Sequence, residues 1–166
     1  MTELRHPGAV RLRAAMEASD HAALMETLAE DVVLRSPIVD VAFEGREEAG
    51  ELFAVLLEVF EEISYVVDLT ADDLHVFAFR LKIRGRPVEG VDLVRFNDQN
   101  EVSEITVFFR PLSGIAEFIA ATGPKVAKRL GGSPAAVRAT TPPVTAMMKL
   151  AGRLAPRLLN MRRARG

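Results

Sequence analysis

Apolar residues recur every three or four positions in the first third of the chain, which is the spacing of amphipathic helices. The pattern predicts helices over residues 8–18, 21–29 and 46–62. Between the last two, a β-branched run predicts a short strand over residues 32–36, which Pro37 ends. The chain is therefore predicted to begin with two helices, a strand and a longer helix.

Alternating apolar and polar residues then replace the helical spacing and predict four consecutive strands. These strands cover residues 64–70, 74–84, 87–97 and 101–110. Turn-forming residues separate them, which favours an antiparallel meander. The second strand alternates most regularly, and one of its faces carries His75, Phe77, Phe79, Leu81 and Ile83.

The C-terminal part returns to helical spacing. It predicts a helix over residues 114–130, a linker rich in glycine and proline over residues 131–143, and a basic helical tail over residues 144–166 that Pro156 breaks or kinks. We therefore expect residues 1–130 to form one domain, followed by the linker and the tail.

The order of these elements predicts an α+β fold. Antiparallel strands with helices on one side form a curved, cone-shaped sheet, and the sheet and three helices would enclose an apolar pocket. Hydrophobic residues make up 49% and charged residues 27% of the chain, a composition typical of globular proteins.

The composition excludes several classes of site. Cysteine is absent, which rules out disulfides, thiolate metal sites and a cysteine nucleophile. His6, His21 and His75 match no metal-ligand spacing, so we expect neither a metal nor a cofactor. No apolar signal-peptide core is found, and no apolar stretch approaches the roughly 20 residues of a membrane span. A cytoplasmic location is the expectation.

Charge is distributed unevenly. Residues 1–117 contain all 23 acidic residues and 11 basic ones, a net charge of −12, whereas residues 118–166 contain ten Lys or Arg and no acid. The basic tail could pack on its own acidic domain or on a dimer partner, or it could contact an anionic membrane surface. The sequence favours packing, because Pro156 and many small residues interrupt the apolar stripe of the tail.

One carboxylate stands in an apolar strand. Asp92 lies within residues 90–96, and strand alternation places it on the same face as Val94 and Phe96. An ionised carboxylate on an apolar face is costly unless it is paired, solvated in a cavity or kept protonated by a raised pKa. Asp92 is therefore the leading candidate for a pocket acid or base, and a structural hydrogen-bonding role is the alternative.

Four segments of the chain carry a further clue, at residues 20–32, 43–47, 91–97 and 107–111. With them, residues 8–112 resemble the nuclear transport factor 2-like superfamily, which includes SnoaL-like polyketide cyclases, ketosteroid isomerases, scytalone dehydratase and limonene-epoxide hydrolase. The resemblance implies the cone fold, but that fold hosts enzymes, binding domains and transport factors alike.

The resemblance also implies residue roles. Ketosteroid isomerases use an aspartate base and an oxyanion hole made by a tyrosine and a protonated aspartate. Asp92 matches the protonated aspartate, whereas Ser36 stands at the position of the base and Leu12 near that of the tyrosine. Isomerisation with that complete set of groups is therefore not expected.

The epoxide-hydrolase pattern is also incomplete. Its Arg-x-Asp motif places an aspartate at Asp92 but an arginine at Gly90, and its second aspartate corresponds to Glu104 or Thr106 at best. The charged relay that activates water in that family therefore lacks a member.

The sequence thus favours a cofactor-independent isomerase, cyclase, dehydratase or hydrolase that acts on a small apolar molecule, with Asp92 as its acid–base or oxyanion-donating group. His75 is the candidate assistant, although a rim histidine satisfied by a local hydrogen bond is the alternative. The predicted pocket walls are Phe53, Phe60, Phe77, Phe79, Val94, Phe96, Phe108 and Ser36. A non-catalytic ligand-binding or dimerisation module is the competing hypothesis.

Partners follow from the strand faces. Both faces of the last strand are partly apolar, which favours a homodimer through the convex face of the sheet. The basic row Arg80, Lys82 and Arg84 lacks interleaved aromatic residues and belongs to an acidic domain, so we expect no nucleic acid partner.

Overall fold

The computed structural model describes residues 6–163, with side chains described as far as Gly152 and at Leu154. This part of the chain forms five helices and six strands. They are α1 Pro7–Ala18, α2 His21–Met25, β1 Leu28–Arg35, β2 Phe43–Glu44, α3 Arg46–Val59, β3 Glu61–Ala71, β4 Leu74–Ile83, β5 Arg86–Phe96, β6 Val102–Arg110, α4 Leu112–Arg129 and α5 Pro134–Arg163.

The strands form one mixed sheet in the order β2-β1-β6-β5-β4-β3. Strands β3 to β6 are a meander of antiparallel neighbours, and β1 pairs with β6 in parallel. The tight turn between β4 and β5 holds Arg84 and Gly85, both with positive φ, as a two-residue hairpin of type I′ requires. The predicted α+β fold with a mostly antiparallel sheet is confirmed.

Irregularities in the ladder accompany the curvature of the sheet. The register of β3 against β4 shifts between Glu61 and Ser64 and again between Tyr65 and Val67. Such bulges bend a strand and increase its twist. The concave side that results is covered by α1, α3 and α4, and the buried apolar side chains of the protein lie between these helices and the sheet.

Two of the element boundaries predicted in the N-terminal half of the chain are wrong. Helix α2 ends at Met25 rather than at residue 29, and β1 begins at Leu28 rather than at residue 32. The parallel pairing of Leu28 with Val102 draws these residues into the sheet. Helical spacing over a short segment cannot reveal that pairing, which joins residues far apart in sequence.

The third and fourth helices differ less from the prediction. Helix α3 ends at Val59 because the following residues pair with β4, starting with Glu61 against Lys82. The predicted helix over residues 114–130 is helix α4, which begins two residues earlier at Leu112.

The predicted linker over residues 131–143 is mostly helical. Helix α5 begins at Pro134, the position after Ser133, and continues past Pro156 to Arg163. A proline in the first turn of a helix removes no hydrogen bond, because the first N–H groups have no partner within the helix. Only residues 130–133 separate α4 from α5.

Opposite charges connect the basic C-terminal helices to the acidic part of the chain. In α4, Lys125 lies 2.6 Å from Glu58 of α3, and Arg129 lies 2.8 Å from Glu51. In α5, Lys149 lies 2.7 Å from the carboxylate of Glu117 in α4. Within the described residues, no helix is long and apolar enough to cross a membrane.

Candidate active site

A cavity lies between the concave face of the sheet and the helices α1, α3 and α4. Its walls are apolar except for a few polar side chains. It is lined by Met16, Leu34, Ser36, Pro37, Leu52, Phe53, Leu56, Phe60, Ile63, Tyr65, Phe79, Asp92, Ile105, Val107, Phe109 and Phe118. The space open to the centre of a water molecule is about 30 Å³, enough for a water or two. A larger ligand needs the wall side chains to move apart.

Asp92 is the carboxylate in this wall. It lies at the middle of β5, between Phe77 of β4 and Val107 of β6 in the ladder. Its Oδ1 is buried without a hydrogen-bond partner. Burial disfavours the charged form and raises the pKa of Asp92 to about 7. The pKa of Asp92 therefore lies in the range near neutral pH that suits a general acid or base.

Tyr65 is a second polar group in the cavity. It extends from β3, and its ring lies 5.1 Å from that of Phe77, measured between centroids. The guanidinium group of Arg13, which extends from α1, lies over the Tyr65 ring in a cation–π contact. Its central carbon is 5.1 Å from the ring centroid. Burial, and after it the charge of Asp92, raise the pKa of Tyr65, so its phenol stays protonated and able to donate a hydrogen bond.

His75, the predicted assistant of Asp92, belongs to a different group of residues. Its Nε2 lies 2.9 Å from Oδ1 of Asp68, and its Nδ1 lies 2.8 Å from the hydroxyl of Thr70. Arg13 contacts the other oxygen of Asp68 at 3.1 Å. The imidazole is therefore engaged at both nitrogens, and it is not among the residues that line the cavity.

The protonation state of His75 follows from this environment. The side chain is 1% exposed, and burial lowers the pKa of His75 against the opposing effect of the Asp68 carboxylate. The Asp68 carboxylate lies beside Nε2 and the Thr70 hydroxyl is hydrogen-bonded to Nδ1, so both ring nitrogens have a polar neighbour. The geometry supports a structural role that couples β3, β4 and α1.

The predicted pocket walls divide into two groups. Phe53, Phe60, Phe79 and Ser36 lie in the cavity wall as expected. Three others do not line it: Phe77 and Val94 are buried elsewhere in the core, and the Phe96 ring stacks on His6 with 4.1 Å between centroids.

The placement of Phe108 in the pocket is wrong. Its side chain is 53% exposed and lines a groove on the outer face of the sheet, together with Val66 and Val91. The inward residues of β6 are instead Ile105, Val107 and Phe109. Both faces of this strand are partly apolar, so alternation alone could not decide which one faces inward.

The remaining second-rank candidates have local roles. The hydroxyl of Ser36 accepts a hydrogen bond from the N–H of Ile38 at 3.2 Å, which stabilises the turn after β1. The carboxylate of Glu104 contacts the Arg35 guanidinium and lies outside the cavity. Gly90 allows the rings of Phe79 and Phe109 to approach the backbone of β5.

Sequence reasoning missed Tyr65, Ile63, Met16 and Phe118 as cavity residues. One signal for Tyr65 was available, because it is the single tyrosine of the chain and stands in a predicted strand. Phe118 lies in α4, and its position over the cavity depends on how that helix packs. Among residues 6–163, no three His, Asp or Glu side chains are grouped closely enough to hold a metal ion.

Comparison with solved structures identifies similar folds. The chain is 25% identical to a steroid delta-isomerase from Pseudomonas aeruginosa, with a TM-score of 0.65 over 77% of this chain and 95% of that one. It is 23% identical to an uncharacterised protein with a cystatin-like fold from Silicibacter pomeroyi, with a TM-score of 0.68 over 71% of this chain and 84% of that one.

A third similar structure comes from Catenulispora acidiphila. It is a hypothetical protein with a ketosteroid isomerase-like fold, solved in complex with trimethylamine, and it is 18% identical with a TM-score of 0.55. The match covers 72% of this chain and 94% of that one.

Sequence comparison leads to the family. No curated protein matches the chain. Residues 9–110 match the SnoaL-like domain. This span runs from the first turn of α1 to the end of β6 and includes both Asp92 and Tyr65. The match covers more than half of the 166 residues, and the chain therefore belongs to the SnoaL-like domain family.

Proposed function

We propose that this protein is a cofactor-independent isomerase that moves a proton within a small apolar carbonyl compound. The observation that carries the proposal is the carboxyl group of Asp92, buried in an apolar cavity with one oxygen unpartnered and a pKa of about 7. A group poised between its two protonation states near neutral pH suits both the removal and the return of a proton. The similarity to a steroid delta-isomerase supports the same reaction type.

The two polar groups would have complementary roles. In a β,γ-unsaturated ketone, the ionised carboxylate of Asp92 takes a proton from the carbon between the carbonyl and the double bond. The electrons of that C–H bond form an enolate conjugated with the double bond. The phenol of Tyr65 donates a hydrogen bond to the enolate oxygen, whose negative charge needs stabilisation in an apolar site. Asp92 then returns the same proton to the γ carbon, which gives the conjugated ketone and restores the carboxylate.

The cavity also indicates the class of substrate. Its walls are mostly aliphatic and aromatic, and its unoccupied space is small. A compact, single-ring ketone fits this description better than a large polar molecule. Met16 lies in the wall, and its unbranched side chain can adapt to a ligand at low cost.

The test uses 3-cyclohexen-1-one, whose conversion to the conjugated 2-cyclohexen-1-one is followed by ultraviolet absorbance. We expect the protein to accelerate the reaction, Asp92→Asn to lower the rate by about 10²-fold or more, and Tyr65→Phe to lower it by about tenfold or more. The matched control is Phe108→Ser on the outer face of the sheet, which should retain the rate. A protein without activity, or an Asp92→Asn variant with the full rate, would overturn the proposal.

The pH dependence distinguishes the two roles that Asp92 could have. If Asp92 is the base, the rate rises with pH through about 7, where its carboxyl group ionises. If Asp92 donates a hydrogen bond in its protonated form, the rate falls over the same range, and another group must be the base.

A non-catalytic binding module is the second candidate. It is favoured by one observation: among the described residues that line the cavity, Asp92 is the single carboxylate, and Ser36 stands where the resemblance puts an aspartate base. Binding of 2-cyclohexen-1-one, measured by the chemical shifts of the cavity residues, without conversion of 3-cyclohexen-1-one would support this function.

A further inference from the structure

Helix α5 packs on α4 with one side only. Thr145 is 5% exposed, Lys149 forms an ion pair with Glu117, and Gly152 lies against Ser113, where an added Cβ would meet the Ser113 Cβ at 3.7 Å. Positions 145, 149 and 152 are spaced by four and three residues, so they share one side of the helix. Small residues on that side allow the two helices to approach closely.

The opposite side of α5 carries large apolar side chains that are about half exposed or more. Val144 is 48% exposed, Met147 67%, Leu150 56% and Leu154 44%. Their spacing of three, three and four residues places them on one face, which we call the α5 stripe. Because the packed side of the helix faces α4, the α5 stripe faces away from the acidic body of the protein.

The charge of α5 is positive throughout its length. Between Pro134 and Arg163 the sequence contains six Lys or Arg and no Asp or Glu. The carboxylate of Glu117 forms an ion pair with Lys149. Burial alone would raise the pKa of Glu117, but Lys149 and Arg86 hold that pKa below its ordinary value. This ion pair holds the helix on its domain.

A second copy of α5 is a poor partner for such a helix. If the stripes of two copies were in contact, two helices would lie side by side, and each carries several positive charges and no negative one. These like charges would repel each other. An anionic lipid surface instead satisfies both properties, because apolar side chains enter the boundary between headgroups and acyl chains while cations meet the lipid phosphates.

We propose that α5 lies on the surface of an anionic membrane, with the α5 stripe turned toward the lipid. The sequence pattern favoured packing on the domain over membrane contact, because Pro156 and small residues interrupt the apolar positions. The structure resolves this conflict: Thr145 and Gly152 lie against α4, the larger apolar residues face outward, and the helix continues past Pro156. The helix packs on its own domain with one side and leaves the other for the membrane.

A tryptophan reporter tests this orientation. The chain contains no tryptophan, so Met147→Trp introduces a single one into the α5 stripe of the full protein. With vesicles in which about a third of the phosphatidylcholine is replaced by phosphatidylglycerol, we expect a blue shift of its emission. Val41→Trp is the matched control, because Val41 is 77% exposed and lies outside α5. The emission of this tryptophan should not shift.

Vesicle sedimentation measures the contribution of the stripe. Replacing Met147, Leu150 and Leu154 by Ser should lower the partition coefficient on the anionic vesicles by about tenfold or more. The control replaces Val10, Val39 and Val41, three exposed valines outside α5, by Ser and should bind as the unchanged protein does. Far-ultraviolet circular dichroism verifies that each variant is folded.

Three results would overturn the proposal. In the first, the unchanged protein does not bind anionic vesicles. In the second, the triple Ser variant of the α5 stripe binds as well as the unchanged protein and salt releases both, which indicates a general attraction to polyanions such as nucleic acid. In the third, the substitutions turn a dimer into a monomer without affecting vesicle binding, which identifies a second copy as the occupant of the stripe.

Discussion

Asp92 is a carboxyl group whose ionisation the surrounding protein opposes. Its Oδ1 has no hydrogen-bond partner, and the strands on both sides place Phe77 and Val107 beside it. His75 is a buried polar group of the same sheet that lies outside the cavity. The Asp68 carboxylate and the Thr70 hydroxyl lie beside its two ring nitrogens. The contrast separates the candidate catalytic residue from the structural one.

The raised pKa of Asp92 makes the stability of the protein depend on pH. The folded protein holds this proton up to pH about 7, whereas the unfolded chain loses it near 3.8. The folded state therefore binds more protons between these values, and its stability decreases as the pH rises through that range. By pH 8 we expect a loss on the order of 4 kcal/mol relative to pH below 4.

Urea unfolding of the protein and of Asp92→Asn at several pH values measures this loss. The difference in unfolding free energy between the two should shift in favour of the variant as the pH rises from about 4 to about 8. The lowered pKa of His75 acts in the opposite direction, because the folded state resists protonation of this ring and stability is lost as the pH falls below 6.5. His75 is present in both proteins, so its effect cancels in the difference. Parallel pH profiles for the two proteins would contradict a raised pKa at Asp92.

At the scale of elements, β5 carries the carboxylate of Asp92 and, at Gly90, leaves room for two aromatic rings of the cavity wall. Two residues before Asp92, Gly90 pairs with Phe79 of β4 and Phe109 of β6, and both rings close over the missing side chain. The two rings meet edge to face with centroids 6.0 Å apart. A Cβ at Gly90 would lie 2.3 Å from the Cζ of Phe79 and 2.9 Å from the Cδ1 of Phe109, which is too close for either ring to remain in place.

Gly90→Ala should therefore destabilise the protein by about 1–3 kcal/mol, because the rings are packed in the core and cannot move without disturbing the cavity wall. Gly152→Ala is the matched control, since its Cβ would meet Ser113 at an ordinary 3.7 Å in a helix that favours alanine over glycine by about 1 kcal/mol. Denaturant unfolding measures both variants. Equal stability of Gly90→Ala and the unchanged protein would show that the aromatic wall is free to rearrange.

At the scale of the whole molecule, the outer face of the sheet remains uncovered in a single chain. Val66 and Phe108 are about half exposed there and line a groove of about 430 Å³. Charges of both signs border it: Glu89 lies 3.4 Å from Arg80 and 3.1 Å from Arg110. A surface with an apolar centre and charges of both signs at its edge can be complementary to a second copy of itself.

We expect the protein to form a homodimer through this face. Light scattering after gel filtration should give twice the mass of one chain, and Phe108→Lys combined with Val66→Lys should give the monomer, because two cations would be buried without a partner. The Ser variant of the α5 stripe is the control and should remain dimeric. A monomeric unchanged protein would rule out the dimer.

The sequence by itself determined the class of the fold and most of its elements. Apolar periodicity depends on which side of a helix or strand is buried, so it located α1, α3 and the β4–β5 hairpin, and it singled out Asp92 as an expensive group in an apolar strand. The match over residues 9–110 confirms the family that the four segments indicated.

Only the tertiary structure decided which groups share the cavity. Tyr65 joins Asp92, and His75 is taken up by Asp68 and Thr70, because strand register and sheet curvature fix these neighbours. Phe108 faces outward for a related reason: both faces of β6 are partly apolar, and the packing of helices on one face decides which is inner. Local pattern records whether a position is buried, whereas the partner that buries it comes from residues far away in the chain.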